Sequence, residues 1–135
     1  MKALDDLSQI LTKFGCTTFG TMTNTELGEV MVQFTYRKRN VSVVASYHGY
    51  AAAWLKQHPY SSRIRCTQVE HERKAMAQAK ISVCSILRDW IKGQVTAIEV
   101  GMLTFEGAFL GQILLPSGKT VLQECESSGF LRLTN

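Results

Sequence analysis

Tyr36-Arg37-Lys38-Arg39 places one aromatic ring beside three consecutive cations, and Tyr50, Lys56, Arg63 and Arg65 follow within thirty residues. Arginine and lysine neutralise phosphates, and tyrosine rings stack on unpaired bases, so this set has the chemistry of a nucleic-acid or acidic-partner surface. The competing reading is structural: cations at a loop tip blunt an edge strand against aggregation. Catalytic chemistry has thinner support. His48, His58 and His71 are scattered, and His71-Glu72-Arg73-Lys74-Ala75 lacks the second histidine of a zinc-protease helix, so surface or turn positions are expected for them. Lys119-Thr120 follows a turn instead of a glycine-rich phosphate loop, and no serine stands in a nucleophile-elbow pattern. Cys16, Cys66, Cys84 and Cys125 are too far apart for paired zinc ligands. The expectation is a protein that is not an enzyme and holds neither metal nor cofactor.

The net charge of +4 is unevenly spread. Residues 36–92 carry eleven basic residues against Glu70, Glu72 and Asp89, a net of +8, while the segments on either side each come to −2. A basic centre between acidic ends suits a polyanion or an acidic protein surface. At 135 residues, 45% of them apolar, the chain suits one domain with one core. No run approaches the roughly 20 apolar residues of a membrane span. Asp5 and Asp6 stand where an export signal would be apolar. Unpaired cysteines agree with a reducing compartment, so the expected location is the cytoplasm.

The elements that must position these residues read as an α+β domain: N-terminal helix, three-stranded antiparallel meander, long helix and short C-terminal helix/hairpin. Leu4, Leu7, Leu11 and Phe14 recur at helical spacing and Gly15 supplies a stop, giving a helix from about Ala3 to Phe14. Cys16 to Met22 favours a strand, with a turn at Thr23 to Glu26. Val30, Val32, Phe34 and Tyr36 alternate with polar neighbours in a second strand. Arg37 to Asn40 forms a polar tip, and Val41 to Ser46 returns. Ala51 to Lys56 is a short helix ending before Pro59, and Tyr60 to Arg65 a loop. Thr67 caps a helix that meets no proline before Val100, with Met76, Val83, Cys84, Leu87, Trp90, Ile91, Val95 and Ile98 as its apolar stripe. Trp54 and Trp90 are expected to be mostly buried. Thr104 caps a helix from Phe105 to about Leu110, and Ile113 to Val121 reads as strand, turn, strand. Residues 1–125 form the domain and Glu126 to Asn135 a flexible tail.

A straight helix from Thr67 to Val100 is about 50 Å long and overhangs a three-stranded sheet. Its continuous apolar stripe predicts a homodimer with Ile81, Arg88 and Val95 near the seam. A break near Gly93, folding the helix back, is the alternative.

Two stretches carry a family resemblance. Ile10-Leu11-Thr12-Lys13-Phe14-Gly15-Cys16-Thr17-Thr18-Phe19-Gly20 resembles the opening of a broad group of small uncharacterised bacteriophage and prophage proteins, in which a helix ends at an aromatic-glycine pair before a meander. Ile91-Lys92, Ile98-Glu99, Gly101, Thr104-Phe105-Glu106, Phe109-Leu110 and Leu115-Pro116-Ser117-Gly118-Lys119-Thr120-Val121 resemble that group's helix end and turn, with Ser117 where the group has aspartate. The resemblance implies a phage-type origin, hence the cytoplasm of a bacterial host cell, and assigns no residue a role. With the absence of catalytic signatures, it leads to a binding protein that inhibits a host nucleic-acid-processing or defence system, such as an anti-CRISPR or other anti-defence protein. The alternative is a nucleic-acid-binding accessory factor for phage replication or recombination.

Overall fold

Gly15 ends the first helix as its position predicts: its φ of 112° is left-handed, and its N–H reaches the carbonyls of Leu11 and Thr12. In this computed structural model, which describes residues 1–131, α1 spans Lys2–Phe14 and is followed by the meander β1 (Thr18–Asn24), β2 (Glu29–Tyr36) and β3 (Arg39–Ser46). The strands are antiparallel in the order β1-β2-β3. Val30, Val32 and Phe34 turn to the core and oppose Ala45, Val43 and Val41 across the β2–β3 pair. Thr18, Thr35 and Asn40 line up on the other face, their side chains hydrogen-bonded at 2.7 Å each. The first turn lies two residues later than the Thr-Asn-Thr-Glu cluster suggests, because Asn24 ends β1 and accepts from the Leu27 N–H through its side chain. The second turn is tighter than a four-residue tip. Only Arg37 and Lys38 form it, both at positive φ (48° and 67°), and Arg39 and Asn40 are already in β3. Two-residue turns of this hand favour Asn-Gly, since side chains with a Cβ are strained there. Replacing Arg37-Lys38 by Asn-Gly should raise stability by about 1 kcal/mol in urea unfolding.

Two helices follow: α2 (His48–Gln57) and α3 (Gln68–Glu99). Thr67 caps α3 through its hydroxyl, which accepts from the Glu70 N–H at 3.1 Å. The 32 residues of α3 run without a break at Gly93. Its buried ridge differs from the stripe expected of it. His71, Ala75, Ala79, Leu87, Ile91 and Val95 are buried, with Val83 partly so, at a strict four-residue spacing. Four residues exceed one turn by about 40°, so the ridge winds roughly 240° around the helix between His71 and Val95. The first half of α3 therefore faces α2, and the second half faces α1 and the sheet. Two cores result. Leu7 and Leu11 of α1, the sheet, Leu87, Ile91, Val95 and Phe105, Phe109 and Ile113 form the larger. Ala3, Val30, Tyr47, Ala51, Ala75, Ala79 and Cys84 form a smaller one under α2. Trp54 is partly buried there, while Trp90 rests its ring edge-on against Phe109 and stays 37% exposed.

Thr104 caps α4 (Phe105–Phe109), which passes into a 3-10 turn at Leu110–Gln112. The hairpin expected from Ile113 to Val121 is reduced to one bridge, Leu114 to Thr120, while Ile113 adds a bridge to Val41 on the edge of β3. Val121 opens a helix instead of a strand: α5 (Val121–Ser127) is held by a capping box between Thr120 and Gln123. The helix takes in Glu126 and Ser127 of the expected tail, and residues 132–135 of that tail lie outside the described residues.

Candidate functional site

The eight candidate contact residues divide between opposite ends of the molecule. β3 carries the chain from the Arg37-Lys38 turn to the start of α2, so Tyr36 to Arg39 lie at one end of the sheet and Tyr50 to Arg65 at the other. At the first end most of the chemistry is already committed. The Tyr36 ring is stacked between Phe14 and Phe105, with centroids 4.4 and 4.9 Å away, so neither face is open to a base. The Arg37 guanidinium lies 5.1 Å over the same ring. Arg39 is bound to Glu106 at 2.7 Å. Tyr36 and Arg39 thus hold the tip against α4, and only Lys38 and one side of Arg37 remain for a ligand. Tyr36 therefore has no open face for a base, and Arg39 is not a free cation.

The other end keeps its cations free. Lys56 sits in the last turn of α2, Arg63 and Arg65 on the loop, and Arg73 and Lys74 on the first turns of α3. All five are exposed, and among the described residues none has a carboxylate within ion-pair distance. Residues 48–74 hold only Glu70 and Glu72 against them. The aromatics here are built into a clasp. His71 is 5% exposed, not the surface histidine its isolation suggests. Its Nε2 donates to the His58 carbonyl, and its ring lies 5.3 Å from Trp54 and 5.8 Å from Tyr60. His58 stacks on Trp54 at 4.3 Å, and the Tyr60 hydroxyl donates to the Cys66 carbonyl at 2.9 Å. The clasp pins the loop that carries Arg63 and Arg65. Tyr50 and Trp54 face Lys74, Ala77, Gln78 and Ile81 across an open groove between α2 and α3. Arg73 and Lys74 add to the cations singled out in the sequence, with Lys74 three residues beyond His71 on one helix.

The expected dimer seam does not form one surface. Val95 is 4% exposed, within the core against α1. Arg88 hydrogen-bonds Asp89 at 3.0 Å and reaches Asp6 of α1 at 3.4 Å. The bond to Asp89 first, and the charges of Asp89 and Asp6 besides, push the Arg88 guanidinium above its ordinary range. Ile81 alone of the three is open. The winding of the ridge is the cause: seven-residue steps stay near one face of the helix, and the buried ridge turns onto that face between Ile81 and Val95.

Burial pushes the Cys16 thiol up to about 11 and raises that of Cys84, so neither is a ready thiolate nucleophile. Among the described residues no three His, Cys, Asp or Glu side chains come together to hold a metal ion. No helix among them is long and apolar enough to cross a membrane. No protein-family model, curated protein or solved structure matches the chain.

Proposed function

We propose that the protein acts by binding, as a phage-type inhibitor that sets its basic end against a host nucleic-acid-processing or defence complex. The observation that carries this reading is the set of five unpaired cations, Lys56, Arg63, Arg65, Arg73 and Lys74, around a loop held by the histidine-aromatic clasp. Exposed cations of one sign speed association with an acidic surface. Arginine and tyrosine are also the residue types that carry most energy when an interface closes over them.

A second reading, direct binding of single-stranded nucleic acid by an accessory factor, is favoured by Tyr50 and Tyr60, whose rings are exposed beside these cations. Capture from bacterial host lysate, with and without nuclease, separates the two. The inhibitor reading expects a protein partner retained after nuclease and lost from the Lys56→Ala/Arg63→Ala/Arg65→Ala variant. The same substitutions at the tip, Arg37→Ala and Lys38→Ala, should leave capture intact. Loss of all capture on nuclease treatment would move the function to nucleic acid. In that case each phosphate contact removed should flatten the log–log salt dependence by about 0.7.

A further inference from the structure

Glycine in the middle of a helix costs about 1 kcal/mol relative to alanine. Gly93 lies deep inside α3, yet a Cβ there would meet nothing of its own chain within 4 Å. Packing within the monomer gives no reason for it. Its neighbours on the helix surface are Ile86, Trp90, Ala97 and Val100, at alternating four- and three-residue spacing. That spacing is the seam of a two-helix coil, and it keeps all five positions on one face. Ile86 is 58% exposed, Val100 70% and Trp90 37%, its ring set edge-on to Phe109. The same face upstream, at Ala75 and Ala79, is buried by α2. That helix is ten residues long and stops short, leaving the later part bare. The flanks are nearly neutral: Ser85, Gln94 and Thr96 carry no charge, and Asp89 is held by Arg88.

We propose that a second copy of this chain covers this face, α3 against α3, antiparallel about a twofold axis at Gly93. Residues 86 and 100 are equidistant from 93, and 90 and 97 nearly so. The axis therefore sets Ile86 against the second copy's Val100, and Trp90 against the second copy's Ala97. A large side chain meets a smaller one in each pair, and the two glycines meet at the centre, where the helices come closest. A parallel arrangement would set one Trp90 on the other and leave a void between the glycines. This symmetry of large and small about a single residue is what makes the face fit a second copy. Charge agrees. The antiparallel arrangement sends the two basic ends in opposite directions, each about 38 Å along the helix from the axis to Gln68.

Light scattering at tens of micromolar tests it. The native chain should show twice the 15.1 kDa of one copy. Gly93→Gln should reduce it to one copy, because a side chain at the axis forces the helices apart. The same variant improves helix propensity, so its circular dichroism should remain native and misfolding is excluded as the cause. Gly93→Cys, brought close to its symmetry mate, should cross-link to a covalent dimer under mild oxidation, and the native chain should not under the same conditions. A native mass of one copy overturns the proposal, and so does a dimer that survives Gly93→Gln. The seam lies away from Lys56, Arg63 and Arg65, so loss of partner capture in the variants of those residues leaves this proposal standing.

Discussion

Truncating Phe109 to alanine should remove about 3–5 kcal/mol of stability, a large share of the roughly 5–15 kcal/mol that holds a domain together. Phe109 is fully buried, and its ring touches rings of the sheet, of α3 and of its own helix. Its ring meets Phe34 of the sheet edge-on at 5.5 Å, Trp90 of α3 at 5.8 Å and Phe105 at 5.3 Å. Three rigid partners drawn from the sheet, α3 and α4 cannot collapse together into the space left behind, and that puts the cost at the upper end of its range. Urea unfolding should show a midpoint lower by one molar or more, given a slope of about 1–3 kcal/mol per molar. Leu110→Ala is the control. Its side chain is next in sequence but exposed, so the change should stay within about 0.5 kcal/mol. Equal losses in the two variants would mean that α4 does not dock on the sheet through Phe109.

His71→Phe should cost about 1–3 kcal/mol while preserving a ring of similar shape. The cost arises because the variant loses the N–H that satisfies the His58 carbonyl, and a part-buried acceptor is left without a donor. The damage should be confined to one end. Trp54, 5.3 Å from His71, should change its fluorescence, whereas the Trp90 environment beside Phe109 should not. Pairing His71→Phe with Trp54→Phe leaves Trp90 as the remaining tryptophan and reports the second end separately. A signal from Trp90 that moves with the mutation would show the two ends to be one cooperative unit.

The order of elements was readable because local rules were strong: the aromatic-glycine stop after α1, the two-residue alternation of β2, and the threonine caps of α3 and α4. The failures have equally local causes. Arg37-Lys38 is an unusual pair for a two-residue turn, so nothing in its chemistry marked the turn as short or moved Arg39 into a strand. Thr120 and Gln123 do have capping-box spacing, and weighing it would have turned the last expected strand into α5. The buried ridge of α3 was hidden because its first members are His71, Ala75 and Ala79, residues too small or too polar to stand out as core. Closeness in sequence misled at the basic centre. Tyr36 to Arg39 and Tyr50 to Arg65 are neighbours along the chain, yet the length of β3 separates them in space.

The smaller core under α2 is built largely from alanines, at Ala3, Ala51, Ala75 and Ala79. Alanine contributes about one methyl group each to burial, and at about 25 cal/mol per Å² such a core holds its elements far less firmly than the phenylalanines and leucines of the larger one. Opening of α2 with its loop should thus be the cheapest excursion available to the native fold, a separate unit of local unfolding below the global transition. Lys56, Arg63 and Arg65 stand on that unit. A partner that binds only its closed form would draw the excursion back, so complex formation and the ordering of this end would be thermodynamically one event, each strengthening the other by the same factor.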